Sequence, residues 1–147
     1  MKIEHGAWVV VADGRKALMA ENVGTSFELK LTMRKVLEAE PNPPTHEQGT
    51  DRPGRSHDST SPGRSAVEQT DWHARAETEF AKSVAEALDG LCKAGVVKRL
   101  VLVAAPRTLA DLRASISAAV RERTVKEVDK DLTNHPLSEV EKILAGL

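Results

Sequence analysis

The segment from Glu40 to Ser65 constrains the fold of this 147-residue chain more than any other part of the sequence. It holds no large apolar residue and five of the seven prolines, so it is unsuited to a regular helix or a central strand. We therefore predict a long, flexible loop over residues 40–65, inside a single domain that spans residues 1–147.

A tetrapeptide is repeated within this segment, as Pro53-Gly54-Arg55-Ser56 and again as Pro62-Gly63-Arg64-Ser65. Each copy combines a proline-directed turn and a glycine that permits close backbone approach with an arginine suited to phosphate. Acidic residues in the same segment balance the arginines, so a solvated loop without a ligand is the competing interpretation. The candidate anion- or RNA-binding residues are Arg52, Gly54, Arg55, Ser56, Gly63, Arg64, Ser65 and Arg107.

Three strands are predicted before the loop. The β-branched run Ala7–Ala12 ends at Asp13-Gly14, a dipeptide typical of a tight hairpin turn, and Arg15–Asn22 is the returning strand. The third strand is predicted over Ser26–Leu37, because apolar residues alternate there with polar ones. Its expected buried residues are Phe27, Leu29, Leu31 and Met33. Three strands joined by short turns form an antiparallel meander.

A long helix is predicted after the loop. Ser65 and Glu68 have the spacing of a capping box, which predicts the helix start at Ser65, and Gly95 is suited to ending it. Apolar residues recur between these limits at helical spacing and predict one buried stripe. Its members are Trp72, Ala76, Phe80, Val84, Leu88 and Leu91.

The rest of the chain predicts strand, helix, strand and helix. Lys98–Ala104 ends in a continuous apolar run typical of a central strand, and a capping box at Thr108 predicts a helix with one apolar face as far as Val120. Thr124–Asp129 is the fifth strand, and Pro136 fits the first turn of the last helix. Helical crossovers need parallel partners, so the first strand should lie beside the fourth. This order predicts an α/β fold with a mixed five-stranded sheet of the ribonuclease H-like type.

The ribonuclease H-like fold suggests one enzymatic hypothesis, a nuclease whose metal ions are held by carboxylates. Asp13 at the end of the first strand and Glu77 or Glu79 on the long helix would supply two ligands. The fourth strand ends in Val103-Ala104-Ala105-Pro106 without a carboxylate, so the third ligand is missing. We therefore assign no catalytic residue, no metal ligand and no cofactor, and rank a nuclease below a binding function.

Composition limits the partners and the location. The net charge of −1 provides no overall basic field for nucleic acid, and an aromatic content of 3% leaves few rings for base stacking. The single cysteine, Cys92, excludes an internal disulfide, indicates a reducing compartment, and is expected to be buried on the helix stripe. Its apolar runs are far below the ~18 residues of a membrane span, and no signal-peptide core is evident. We expect a cytoplasmic protein without membrane contact.

Several separated motifs resemble those of the bacterial host attachment proteins, which are required for attachment to host cells. They are Trp8–Gly14, Asp51–Ser56, Leu102–Leu109 and Lys130–Thr133, in that order along nearly the full chain. That family is similar to the middle domain of archaeal and eukaryotic peptide-chain release factors, which has a ribonuclease H-like fold. The resemblance therefore implies the same fold as the predicted strand order.

The release-factor resemblance also gives the loop a role. In release factors, the loop before the long helix carries a Gly-Gly-Gln tripeptide that enters the peptidyl transferase centre. Here the region contains Glu47-Gln48-Gly49 and the two Pro-Gly-Arg-Ser copies instead. The resemblance implies an extended loop that contacts RNA through arginines on phosphates, without peptidyl-tRNA hydrolysis.

Three functions are therefore considered. The leading hypothesis is a cytoplasmic, non-catalytic RNA- or ribosome-associated domain that acts indirectly on attachment and contacts phosphate through the loop arginines. The alternative is a protein-interaction module in which those arginines pair with carboxylates of a partner protein. A metal-dependent nuclease ranks third.

Overall fold

A computed structural model describes residues 1–40 and 62–147. The strands are β1 (Trp8–Ala12), β2 (Lys16–Asn22), β3 (Leu31–Glu38), β4 (Leu100–Ala104) and β5 (Thr124–Asp129). The helices in these residues are α1 (Pro62–Lys93), α2 (Pro106–Ser115), α3 (Ala118–Arg123) and α4 (Leu137–Ala145).

The strands form one mixed sheet in the order β3-β2-β1-β4-β5. β1 and β2 are antiparallel, as are β2 and β3, whereas β4 is parallel to both β1 and β5. In the centre of the sheet, Val10 lies between Met19 of β2 and Leu102 of β4. This is the predicted ribonuclease H-like arrangement, because helical crossovers place β4 beside β1.

The sheet separates two hydrophobic clusters. One face is covered by α1, α2 and α3, whose residues Val84, Leu88 and Leu112 pack with Val10 of β1. The other face is covered by α4 and the N-terminal segment, with Val140 and Leu144 of α4 in the same cluster as Val9 and Val11. Both β1 and β4 are fully buried, as expected of central strands with helices on either side.

The prediction for β3 was wrong at its start. The strand begins at Leu31 because Thr25 closes a turn in which its hydroxyl accepts from the backbone N–H groups of Phe27 and Glu28. Phe27 is 85% exposed in this turn, and Met33 is also exposed because β3 is an edge strand. The predicted burial of these two side chains was therefore wrong.

Two helices begin at a proline and not at the serine or threonine predicted to cap them. α1 begins at Pro62, three residues before the predicted capping serine, and α2 begins at Pro106 with Ala105 as an N-cap that makes no side-chain bond. Proline lacks the N–H that would be unpaired at a first helical position, and its φ suits the helix. The predicted capping boxes at Ser65 and Thr108 are therefore not the starts of these helices.

The predicted second helix is two helices. Ile116 is extended after α2, and the hydroxyl of Ser117 accepts from the Val120 N–H to begin α3. Both Ile116 and Val120 are buried, so the predicted apolar face exists although the helix is interrupted. No helix in the described part of the chain is long and apolar enough to cross a membrane.

Candidate functional site

The candidate site lies where β1 and β4 end. These strands are parallel neighbours, and Ala12 lies opposite Ala104 at their carboxyl ends. The next residues of each strand therefore meet at one edge, which carries Asp13, Gly14, Arg15 and Arg107 and is called the carboxyl edge below. In α/β sheets, ligands bind outside the carboxyl ends of parallel strands.

Asp13 holds the turn between β1 and β2. The backbone N–H groups of Arg15 and Lys16 each donate to Asp13 Oδ1 at 2.7 Å, and the Asp13 N–H donates to the Lys16 carbonyl at 2.8 Å. The hydroxyl of Thr133 donates to the other carboxylate oxygen at 2.9 Å. Both oxygens of Asp13 are thus engaged within the fold, which accounts for an aspartate at this position.

Thr133 connects an N-terminal and a C-terminal part of the chain at the carboxyl edge. It is 3% exposed, and its Oγ1 lies 2.8 Å from Asp131 Oδ1 as well as within bonding distance of Asp13. A hydroxyl has one proton, so it donates to one of these carboxylates at a time. Thr133 therefore ties the segment after β5 to the turn after β1.

The carboxylates of the nuclease hypothesis are not gathered into a site. Asp13 is bonded as described, and Glu77 lies against the neighbouring Gly14. Glu79 is exposed beside Lys82, with 3.2 Å between Oε1 and Nζ. Within residues 1–40 and 62–147, no group of three His, Cys, Asp or Glu side chains is placed to hold a metal ion.

A small cavity of about 210 Å³ adjoins the turn. Its wall is formed by Gly14 and Arg15, by Glu40 after β3, and by Trp72 and Glu77 of α1. Glu40, the last described residue before the arginine-containing segment, thus lines one cavity with Trp72 of α1 beside the turn. The chain leaves for that segment at the carboxyl edge.

A side chain at position 14 would collide with the Glu77 side chain. A Cβ there would lie 2.7 Å from Cγ and 2.8 Å from Cδ of Glu77, and closer still to Oε2. The φ angle of Gly14 is not among the positive ones, so an alanine could adopt its backbone conformation. Glu77 therefore packs directly on the turn and positions α1 over the end of β1.

Four of the eight predicted binding residues lie within the residues that the structure describes. Arg107 is exposed at the second position of α2, on the carboxyl edge. The backbone of Gly63, Arg64 and Ser65 forms the start of α1 instead of a loop. The remaining predicted residues, Arg52, Gly54, Arg55 and Ser56, lie outside the described residues.

Sequence reasoning missed Thr133, Asp131 and the packing of Gly14 on Glu77. Thr133 and Asp13 are 120 positions apart, so no local periodicity links them. The one available signal was the Lys130–Thr133 motif, which marked the segment without giving it a role.

Two residues near the C-terminal end of α1, Asp89 and Cys92, have shifted pKa values. Ser117 donates to Asp89 Oδ1 at 2.6 Å, and this bond, followed by the contact with Lys93, lowers the pKa of Asp89. Burial raises the pKa of the Cys92 thiol, which is 1% exposed in the core as predicted. Asp89 thereby connects α1 to the start of α3, and Cys92 serves as a small apolar residue.

The sheet order and the two helical layers define an α/β domain of the ribonuclease H-like type. The chain belongs to the family described as protein required for attachment to host cells, whose family model matches residues 8–144. No curated protein matches the chain.

A solved structure shares the fold. The crystal structure of an archaeal translation termination factor, aRF1, matches with a TM-score of 0.50 and 12% sequence identity. The match covers 87% of this chain and 32% of that chain, so this chain spans about a third of the factor's length. The predicted relation to release factors is confirmed at the level of the fold.

Proposed function

We propose that this host attachment family protein is a cytoplasmic, non-catalytic domain that associates with the ribosome or with structured RNA and acts indirectly on attachment. The contact is made by Arg15 and Arg107 at the carboxyl edge, together with Arg52 and Arg55 of the segment before α1 and Arg64 at the start of α1. These guanidinium groups bind phosphate.

One observation carries the proposal. Glu40, the last described residue before the arginine-containing segment, lines the same cavity as Arg15, and Arg107 lies in the first turn of α2, just after the neighbouring strand β4. The chain therefore enters the segment that carries the first Pro-Gly-Arg-Ser copy beside two further exposed arginines. The fold shared with a translation termination factor supports the choice of the ribosome as partner.

Co-sedimentation with ribosomes at low and high salt tests the proposal. Two double variants are compared with the wild type: Arg55→Ala/Arg64→Ala and Arg15→Ala/Arg107→Ala. The loss of two phosphate contacts to single-stranded RNA should reduce the slope of log K against log salt by ~1.4 in each. Binding that is absent at low salt, or unchanged in both variants, would refute the proposal.

A matched control removes two cations elsewhere. Lys35 on β3 and Lys142 on α4 are both exposed and lie away from the carboxyl edge. The Lys35→Ala/Lys142→Ala variant changes the net charge by the same amount and should bind as the wild type does. Equal weakening of this control would show that only the overall charge matters.

The protein-interaction alternative predicts a different result. If the loop arginines pair with carboxylates of a partner protein, a pull-down from lysate is unaffected by nuclease treatment. If the contact is RNA, the same treatment releases the captured material.

A further inference from the structure

The positive charge of the chain is concentrated in one stretch of the sequence. Residues 93–126 contain eight Lys or Arg and two Asp or Glu, although the whole chain has a net charge of −1. Four of these cations lie where α2, α3 and β5 meet: Arg113, Arg121, Arg123 and Lys126.

A groove of about 520 Å³ runs through this basic region. We call it the β5 groove and define it by Arg113, Ile116, Arg121, Val125, Lys126 and Glu127, whose carboxylate is paired with Arg113. Ile116 is 7% exposed and forms an apolar base, while Val125 is 61% exposed beside it. The groove thus combines aliphatic surface with cations on both sides.

The arginines of the groove are held in position by the fold. Arg113 Nε donates to Glu127 Oε1 at 2.7 Å, and Arg121 Nη2 donates to the Arg113 carbonyl at 3.1 Å. A guanidinium has five N–H groups, so each of these arginines keeps donors for a ligand. Holding the side chains in place reduces the entropy lost when a partner binds.

β5 has an open outer side along the groove. It pairs with β4, and no other strand within residues 1–40 and 62–147 lies beside it. Its pairing is regular from Lys126 to Asp129 after an irregularity near Val125. Half of the backbone N–H and C=O groups of such an edge face outward and can pair with an added strand.

We propose that the β5 groove binds an extended acidic segment of a partner protein, which adds to β5 as a further strand. Its carboxylates face Arg121 and Lys126, and a small aliphatic side chain contacts Val125 and Ile116. A second copy of β5 is disfavoured, because it would bring the cations Arg121 and Lys126 of both copies to one interface without carboxylates to pair with them. RNA is a poorer match, because phosphates would leave the aliphatic surface and the strand edge unused.

The experiment uses the full chain labelled with ¹⁵N and a synthetic octapeptide that alternates glutamate and valine. Addition of the peptide should shift the amide resonances of Val125, Lys126 and Val128 and protect β5 amides from exchange. A peptide that alternates lysine and valine should cause no shift. The acidic peptide with N-methyl groups along one edge should bind at least fivefold more weakly, because it loses the strand hydrogen bonds.

Charge-reversal variants locate the site. Arg121→Glu/Lys126→Glu should weaken binding of the acidic peptide at least fivefold, whereas the matched Lys35→Glu/Lys142→Glu variant should stay within twofold of the wild type. Absence of peptide binding, binding that N-methylation leaves unchanged, or a stronger shift of the same amides by an octauridine RNA would overturn the proposal. These outcomes are independent of the ribosome test, because Arg121 and Lys126 are not part of the carboxyl edge.

Discussion

Substitution of Gly14 by alanine tests how closely α1 packs on the turn after β1. The new Cβ would lie 2.7 Å from Glu77 Cγ, whereas ordinary contacts begin near 3.4 Å, so the Glu77 side chain must move by several tenths of an ångström. Because Glu77 is flexible, the cost should be about 1.5 kcal/mol, in the lower half of the 1–3 kcal/mol for overpacking. Alanine returns about 0.4–1 kcal/mol by restricting the unfolded chain. We expect Gly14→Ala to lower the free energy of unfolding by about 1 kcal/mol.

A double-mutant cycle separates this contact from other effects. In a Glu77→Ala background, the obstruction is gone, so Gly14→Ala should stabilise the protein by about 0.5 kcal/mol. The resulting coupling energy of about 1.5 kcal/mol is measured by urea denaturation of the four proteins. If Gly14→Ala has the same effect in both backgrounds, Glu77 does not pack on the turn as described. Ribosome binding of the same variants shows whether the position of α1 affects function.

Three further predictions concern hydrogen bonds made by side chains. Asn22→Ala should lower the free energy of unfolding by about 3 kcal/mol in urea denaturation. The buried Asn22 amide makes hydrogen bonds with five backbone groups and joins the N-terminal segment to the β2–β3 loop. The exposed control Asn134→Ala should cost less than about 0.5 kcal/mol. Thr133→Val should cost about 1–3 kcal/mol in the same assay and should shift the Arg15 amide resonance, since Asp13 loses its hydroxyl partner; an unchanged resonance and stability would contradict the role of Thr133. The pKa of Asp89 is lowered in the folded protein from its ordinary value of 3.8. The stabilisation by the Asp89 carboxylate is therefore present above that pH and is lost as the pH falls through the lower folded pKa. The difference in free energy of unfolding between the wild type and Asp89→Asn, measured in urea, should be smaller at pH 3 than at pH 7.

The strand order was predictable because it follows from short-range patterns. The run Trp8–Ala12 and the run Leu100–Ala104 are apolar at every position, and the bounds of β5 are those predicted. Once helices separate later strands, the parallel pairing of β4 with β1 follows from the handedness of crossovers. The fold class therefore needed no knowledge of distant contacts.

The errors arose where one local signal competed with another. The alternation around Phe27 suggested a strand, but Thr25 closes a turn with its hydroxyl and leaves the ring in solvent. Pro62 and Pro106 begin their helices ahead of the serine and threonine expected to cap them. In each case a hydrogen bond or a fixed φ decided the local structure, and hydrophobic spacing could not show it.

The location of the candidate site could be predicted from the sequence, but most of the contacts that form it could not. Arg107 and Asp13 could be located at strand ends from the topology alone. The bond between Thr133 and Asp13, and the packing of Glu77 on Gly14, join parts of the chain that share no periodic pattern. The roles of Arg52 and Arg55 remain predictions, because these residues lie outside the described structure.

The length of α1 gives the contact between Gly14 and Glu77 a mechanical consequence. α1 has 32 residues, and 15 of its positions precede Glu77, a distance of about 22 Å along the helix axis. The buried residues Phe80 to Cys92 clamp its other end against the sheet. The N-terminal part of α1 thus extends well beyond its contact with the turn after β1. A tilt of this part by about 5° about Glu77 would move Pro62 by about 2 Å. A small displacement at Gly14 would therefore become larger where the arginine-containing segment joins the helix.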